Sequence, residues 1–138
     1  MCTAQTNEIL TVEDDTAQTE LLRRVLESGG FRVHAELSGT GALQYVAEHP
    51  VSLVILDLRL PDIDGHEVCA ALRKQYNSWT MPVVMLTGLD QPVEQIRGYR
   101  TGADVYLTKP YQAAELLQIV GLLLNRQEGP DAACGCYG

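Results

Sequence analysis

The chain has few basic residues for its number of acidic ones. Lys and Arg together number 10 against 18 Asp and Glu, which gives a formal net charge of −8 at pH 7. Proteins that bind the phosphates of DNA or RNA usually present a basic surface, so this balance disfavours direct nucleic-acid binding by this chain. It leaves open a partner or a further domain that binds nucleic acid.

Long apolar runs and a basic leader are also missing. No stretch approaches the roughly 20 apolar residues that span a bilayer. Residues 1–8 have neither the basic flank nor the apolar segment of a signal peptide. We therefore expect a soluble, cytoplasmic protein with no membrane partner. With 138 residues, 46% of them hydrophobic, the chain is long enough to form one domain with a buried core.

Cysteine is scarce, and its spacing disfavours a zinc site. The four cysteines are Cys2, Cys69, Cys134 and Cys136, which do not form two C-x2-C pairs. Cys69 lies in an apolar helical stripe and is expected in the core. Cys134 and Cys136 lie among small residues near the C-terminus, where we expect two exposed thiols without a role.

The apolar pattern alternates between strand and helix five times. Strands are predicted at Glu8–Val12, Arg32–Glu36, Val51–Leu56, Val83–Leu86 and Val105–Leu107, and helices at Ala17–Ser28, Thr40–Glu48, Gly65–Gln75, Val93–Arg100 and Gln112–Arg126. This alternation implies an α/β protein with a parallel sheet and helices on both faces. The leading arrangement is a flavodoxin-like, doubly wound sandwich with strand order 2-1-3-4-5. The pattern ends after Arg126, so we predict one domain over residues 1–126 and a flexible tail or linker over 127–138.

Reactive side chains follow four of the predicted strands. Asp57 ends an apolar segment, Glu13 and Asp14 follow the first strand, and Thr87 and Lys109 follow the fourth and fifth strands. The carboxyl ends of parallel strands meet at one edge of the sheet, where ligands bind. In the order 2-1-3-4-5, strands 1 and 3 are neighbours. We therefore expect these five side chains to form one site.

The chemistry of this set indicates a metal and a phosphoryl group. Carboxylates packed closely repel one another unless a cation lies among them, and Mg²⁺ typically takes one or two protein carboxylates plus waters and phosphate. Asp57 is then either a structural acid or a nucleophile that accepts a phosphoryl group. Lys109 could pair with Asp57 and then with the phosphoryl group, to which Thr87 could donate a hydrogen bond. The alternative is that the acids cap a helix, which Asp15 fits, and that the other two residues are an exposed lysine and a turn threonine.

The motifs that hold these residues resemble a known family. The segment Leu56–Gly65 resembles the phosphoacceptor segment of two-component response regulator receiver domains, in the CheY-like superfamily. The segments Glu13–Asp15, Met85–Gly88 and Gly102–Pro110 match the other signatures of that family in order and spacing. The resemblance covers about residues 7–126 and implies a sheet of order 2-1-3-4-5.

The resemblance also implies how the site would work. Asp57 would accept a phosphoryl group from a histidine kinase or a histidine phosphotransfer protein. Mg²⁺, for which Mn²⁺ can substitute, would be held directly by Asp14, by Asp57 and by the backbone carbonyl of Arg59, and through water by Glu13. Lys109 would contact the phosphoryl group. Such a domain catalyses only its own phosphotransfer and autodephosphorylation, so it is a regulatory phosphoacceptor rather than an enzyme for a separate substrate.

A conformational switch is implied as well. Thr87 would move to bind the phosphoryl group and Tyr106 would turn its ring inward. These movements would repack the surface formed by the predicted helix Val93–Arg100, the fifth strand and the last helix. That surface would bind an output domain or an effector, or form a homodimer on phosphorylation, and the Lys109–Pro110 peptide would be cis.

Three residues beside the site vary from the commonest pattern or line the phosphoryl pocket. Gly88 stands where Ala usually follows the switch threonine. Arg59 and Leu89 lie two positions beyond Asp57 and Thr87, where side chains can shield or position the hydrolytic water. The hypothesis is that Arg59 and Leu89 set the lifetime of the phosphorylated form.

Two other functions compete with the receiver hypothesis. A Mg²⁺-dependent phosphohydrolase or phosphotransferase for small molecules would share Asp57 and the metal, but the sequence has no second domain or cap to hold a substrate. A flavin-binding module would need hydroxyls and glycine after the first strand, where Glu13–Asp15 has the wrong charge for a phosphate.

Overall fold

The computed structural model describes residues 8–77, 80–88, 102–109 and 111–128, which form a five-stranded sheet and four helices. In chain order the elements are β1 (Glu8–Val12), α1 (Thr16–Ser28), β2 (Arg32–Glu36), α2 (Gly39–Glu48), β3 (Leu53–Asp57), α3 (Gly65–Arg73), β4 (Val83–Thr87), β5 (Val105–Thr108) and α4 (Ala113–Glu128). All five predicted strands are present. The helix predicted at Val93–Arg100 lies outside the described residues, as do Leu89, Pro110 and the tail cysteines.

The strands are all parallel and follow the order β2-β1-β3-β4-β5, which confirms the predicted topology. In register, Val12 pairs with Leu56 across β1 and β3, and Asp57 pairs with Leu86 across β3 and β4. The carboxyl ends of these strands therefore lie side by side. Polar residues that follow them in the sequence must share one edge of the sheet.

Both faces of the sheet are buried, which explains why the central strands have almost no polar residues. Within β3, Val54 and Leu56 pack into the core layer that includes α2 and α3. Leu53 and Ile55 point the other way, into the layer that includes α1 and α4. Successive side chains of a strand face opposite sides, so a strand covered on both faces must be apolar throughout.

Cys69 lies in the α2–α3 core layer and is fully buried, which confirms its predicted place in the core. The final helix, α4, runs to Glu128, two residues past its predicted end at Arg126. No helix in the described ranges is long and apolar enough to cross a membrane.

A partly buried arginine fixes the amino ends of β4 and β5. Arg73, at the end of α3, donates hydrogen bonds to the carbonyl oxygens of Gly102 (2.8 Å) and Met81 (2.7 Å) and to Oδ2 of Asp104 (2.6 Å). The same Asp104 oxygen accepts a hydrogen bond from the backbone N–H of Val83 at 2.8 Å. These hydrogen bonds connect the amino ends of β4 and β5 to each other and to α3. Thr87 and Lys109 lie at the opposite, carboxyl ends of the same two strands.

Candidate functional site

A cavity of about 400 Å³ at the carboxyl edge of the sheet brings the predicted site residues together. Its lining consists of Glu13, Asp14, Asp15, Gln18, Asp57, Leu58, Arg59, Thr87, Gly88 and Lys109. The lining comes from four strand ends and from the first turn of α1. The sequence did not single out Gln18, because a helical glutamine resembles any other exposed polar residue.

Lys109 bridges two buried carboxylates across the cavity. Its Nζ lies 2.6 Å from Oδ2 of Asp57 and 3.0 Å from Oε2 of Glu13. Only 6% of Asp57 and 3% of Glu13 are exposed to solvent, so few water molecules can screen their charges. The ammonium group offsets the repulsion between the two acids. The sequence predicted the pairing with Asp57 but not the contact with Glu13.

The charges of this trio are interdependent. Burial raises the pKa of Glu13 to about 7, hydrogen bonding to Asp57 adds to the rise, and the hydrogen bond from Lys109 opposes it. Burial lowers the pKa of Lys109, but its hydrogen bonds to Asp57 and Glu13 outweigh burial and leave that pKa above the usual value. The ammonium of Lys109 therefore stays charged at neutral pH, while burial and the neighbouring Asp57 make Glu13 harder to ionise.

Backbone contacts fix the carboxylate and the peptide of Asp57. Its Oδ1 accepts a hydrogen bond from the backbone N–H of Arg59 at 2.7 Å. The loop after β3 returns so closely that a Cβ added at Gly65 would lie 2.5 Å from the carbonyl oxygen of Asp57. Glycine at position 65 therefore lets α3 begin directly against the end of β3.

The three consecutive acids after β1 have different surroundings. Asp15 caps α1, because its Oδ1 accepts hydrogen bonds from the backbone N–H groups of Ala17 (2.9 Å) and Gln18 (3.2 Å). Asp15 therefore has the helix-capping role that the sequence analysis gave as the alternative to metal binding. Glu13 faces Lys109, and Asp14 is exposed at the cavity.

Thr87 and Tyr106 lie on neighbouring strands near the site. Thr87 is the last residue of β4, is buried and lines the cavity. Its carbonyl oxygen accepts a hydrogen bond from the backbone N–H of Lys109 at 2.6 Å. Tyr106 pairs with Met85 in register, and its ring packs against the α2–α3 core layer with its hydroxyl oxygen buried.

The donor set of the cavity fits Mg²⁺. In the described ranges no three His, Cys, Asp or Glu side chains are grouped closely enough to hold one ion. Mg²⁺ does not need such a group, since one or two carboxylates with waters suffice. Asp14, Asp57 and Arg59 line the same cavity and offer hard oxygen ligands. Both carboxylate oxygens of Glu13 already accept hydrogen bonds from Asp15 and Lys109, which suits contact with an ion through water.

Asp62 has a structural role that its position in the motif did not reveal. Its Oδ1 and Oδ2 accept hydrogen bonds from the backbone N–H groups of Gly39 (2.9 Å) and Thr40 (2.8 Å) at the start of α2. Hydrogen bonds from Thr40 and Gly39 hold the pKa of Asp62 well below its usual range. The loop after β3 is therefore attached to α2 as well as to α3.

Known proteins are similar to this chain in both sequence and fold. The family model of the response regulator receiver domain matches residues 9–121. The DNA-binding dual master transcriptional regulator RpaA of Synechocystis sp. is 39% identical over 126 residues, which are 91% of this chain and 52% of that protein. Response regulator MprA of Mycobacterium sp. strain KMS is 40% identical over 127 residues, which are 90% of this chain and 54% of that protein.

A solved structure agrees with these matches. The receiver domain protein (CheY-like) of Methanospirillum hungatei superposes with a TM-score of 0.84 at 28% identity, over 90% of this chain and 98% of the other. The chain spans about half the length of the curated relatives it matches. The family match, the strand order and the relatives agree, and the chain belongs to the response regulator receiver family.

Proposed function

We propose that this domain accepts a phosphoryl group on Asp57 from the phosphohistidine of a histidine kinase or a histidine phosphotransfer protein. The observation that carries the proposal is the placement of the Asp57 carboxylate. One oxygen is held by the Arg59 amide and the other by Lys109, yet the group faces a cavity of about 400 Å³. An acid with a purely structural role has no need of such a cavity.

The proposed reaction moves one phosphoryl group between two side chains. An oxygen of Asp57 attacks the phosphorus, the P–N bond to the donor imidazole breaks, and its electron pair stays on that imidazole nitrogen. Lys109 then exchanges a carboxylate partner for a phosphoryl oxygen, so no buried charge is left unpaired. Thr87 lines the same cavity, and its hydroxyl would donate to another phosphoryl oxygen.

The acids beside Asp57 would hold the metal. Asp14, Asp57 and the backbone carbonyl of Arg59 would bind Mg²⁺ directly, and Glu13 would contact it through water. When bound, the ion neutralises negative charge on the transferred group. The cavity lining has four carboxylate side chains against two cationic ones, Lys109 and Arg59, so the protein alone leaves negative charge for a cation to offset.

Phosphorylation would act on a partner through a surface change. Thr87 and Tyr106 would shift together and alter the surface that includes β5 and α4, in a cytoplasmic domain. RpaA is described as DNA-binding, but the net charge of −8 leads us to propose that this domain does not bind DNA itself. It would instead act on an output domain or an effector, or form a homodimer.

Phosphorylation with a small donor tests the proposal. With Mg²⁺ and an acyl phosphate or phosphoramidate, intact-mass measurement should show one phosphoryl group per chain. The label should not form when a chelator is present from the start, and it should be absent in Asp57→Asn. Asp62→Asn is the matched control, because it changes an acid of the same segment that caps α2 outside the cavity. Labelling that persists in Asp57→Asn would contradict the proposal. Continuous turnover of the donor without a stable label would favour the small-molecule phosphohydrolase instead.

A further inference from the structure

Gln18 lines the cavity beside Asp57, and nothing described so far assigns a role to its side chain. It lies in the first turn of α1 and is partly exposed. Its backbone N–H donates to Oδ1 of Asp15 at 3.2 Å, while its side-chain amide forms no hydrogen bond with the described residues. A side-chain amide carries both a donor and an acceptor, so this one is available to a molecule that enters the cavity.

A chain of hydrogen bonds holds the first turn of α1 against the site. The peptide of Gln18 is bonded to the Asp15 carboxylate, and the backbone N–H of Asp15 donates to Oε1 of Glu13 at 3.2 Å. The other oxygen of Glu13 accepts from Nζ of Lys109 at 3.0 Å, and the same Nζ lies 2.6 Å from Oδ2 of Asp57. The backbone of Gln18 is therefore fixed relative to Asp57, and its side chain is the part that can move.

Hydrolysis of a phosphoryl group on Asp57 requires water at a defined place. Asp57 ends β3 at the buried side of the cavity, where the backbone N–H of Arg59 and Nζ of Lys109 hold its two carboxylate oxygens. In phosphoryl transfer the attacking oxygen and the leaving oxygen lie roughly in line with phosphorus. The attacking water therefore lies opposite Asp57, toward the mouth of the cavity, where the lining residues are exposed or partly exposed.

Few side chains at this mouth can accept a hydrogen bond from the water. The exposed or partly exposed lining residues are Asp14, Asp15, Gln18, Arg59, Gly88 and Lys109. The cations of Arg59 and Lys109 only donate hydrogen bonds, and glycine has no side chain. Asp14 is a proposed metal ligand and Asp15 caps α1, and the charge of a carboxylate would also repel the phosphoryl group. Among the described lining residues, the neutral acceptor at the mouth is therefore Gln18.

We propose that Gln18 is a water-positioning residue, whose amide oxygen accepts a hydrogen bond from the water that hydrolyses phosphorylated Asp57. The water oxygen bonds to phosphorus, the P–O bond to Asp57 breaks, and its electron pair returns to the carboxylate. One proton of the water stays on the attacking oxygen and the other passes to a phosphoryl oxygen, so dihydrogen phosphate leaves. Gln18 holds the water in line and takes no proton. This role rests on the proposed phosphorylation of Asp57.

Gln18→Met tests the role, because methionine keeps the side-chain length and helix propensity but replaces the amide with a weakly accepting sulfur. The chain is labelled with phosphoramidate and Mg²⁺, the donor is removed, and intact mass follows the loss of the label. We expect the variant to lose the label about tenfold more slowly than the wild type, which corresponds to about 1.4 kcal/mol of activation free energy. Gln44→Met is the matched control, because Gln44 is an exposed glutamine of α2 outside the cavity lining.

Two further measurements separate positioning of the water from packing of the pocket. Gln18→Glu restores an accepting oxygen, so this variant should lose the label at least as fast as the wild type. Titration with beryllium fluoride and Mg²⁺, followed by ¹⁹F NMR, measures the affinity for a phosphoryl analogue at Asp57. Gln18→Met should bind the analogue as tightly as the wild type, because the attacking water is not part of that bound state.

Three results would overturn the role of Gln18. The first is a rate of label loss in Gln18→Met that is unchanged or faster. The second is a loss in Gln18→Glu as slow as in Gln18→Met, because an acceptor would then not restore the rate. The third is a weakened affinity of Gln18→Met for beryllium fluoride, because the pocket itself would then be altered. In each of these cases the label forms and only the role of Gln18 fails, whereas a wild type that takes no label at Asp57 contradicts the proposed function as well.

Discussion

The raised pKa of Glu13 should make the stability of the metal-free protein fall as the pH rises. Its pKa is about 7 in the folded protein against an ordinary value of 4.5. Between these two values the folded chain binds more protons at Glu13 than the unfolded chain does. The contribution of Glu13 is therefore complete below pH 4.5 and is lost as the pH rises through about 7.

The size of this effect follows from the same two pKa values. At about 1.4 kcal/mol for each unit of pKa, the rise from 4.5 to about 7 corresponds to at most about 3.5 kcal/mol of unfolding free energy. For a domain of this length, that is a change of roughly 10 °C in melting temperature. Burial of the carboxylate is the main cause, so removing its ability to ionise should remove most of the effect.

Urea unfolding of the wild type and of Glu13→Gln, at about pH 5 and about pH 8, measures the effect. Glutamine keeps the size of the side chain but cannot ionise, so the stability of Glu13→Gln relative to the wild type should increase with pH. Glu20→Gln on α1 is the matched control, because Glu20 is exposed. Parallel pH dependences of the wild type and Glu13→Gln would refute this explanation. Mg²⁺ should stabilise the wild type more at the higher pH, because it offsets the charge that appears there.

Four further predictions concern single substitutions at or outside the site. Gly65→Ala would place a Cβ 2.5 Å from a backbone carbonyl oxygen of β3 and should lower the unfolding free energy by about 1–3 kcal/mol. A Cβ at Gly88 meets no atom of the described residues within 4 Å and the glycine has no positive φ, so Gly88→Ala should add about 0.4–1 kcal/mol. Equal urea midpoints for the two variants would contradict both predictions. Arg73→Met removes the guanidinium that lies 2.6 Å from the buried carboxylate of Asp104 and should cost about 3–5 kcal/mol in the same assay, whereas a loss below about 1 kcal/mol would show that the pair is not structural. Arg59→Ala should speed the loss of the phosphoryl label several-fold by exposing the acyl phosphate to water, and an unchanged rate measured by intact mass would reject a shielding role.

The strand order and the location of the site were predictable because both follow from burial and topology. The run from Leu53 to Leu56 has no polar side chain, and the structure shows why, since its residues alternate between two core layers. A strand of this kind belongs in the middle of a parallel sheet. Once β1 and β3 are parallel neighbours, Glu13 and Asp57 must lie at the same edge of the sheet, because each stands at the carboxyl end of its strand. This holds for any orientation of their side chains.

The contacts between these side chains were less predictable. Lys109 and Glu13 are 96 positions apart, and topology places them at one edge without showing which carboxylates the ammonium reaches. Three consecutive acids look alike in a sequence, but the turn into α1 makes Asp15 a cap and directs Glu13 inward.

The contacts of Lys109 link the chemistry of the site to the two strands that carry the proposed switch residues. Its ammonium holds both buried carboxylates, so an incoming phosphoryl group must compete for it rather than enter an uncommitted site. Its backbone N–H also donates to the carbonyl oxygen of Thr87 at 2.6 Å, and Thr87 pairs with Thr108 in register. The peptide of Thr87 is therefore anchored to β5 while Lys109 changes partners. With its peptide anchored, Thr87 would reach a phosphoryl oxygen by rotating its side chain. A β-branched side chain has few preferred rotamers, so this rotation would be between discrete positions. Discrete exchanges of side-chain partners on an anchored backbone are what a two-state switch requires. They do not require a graded movement of the strands.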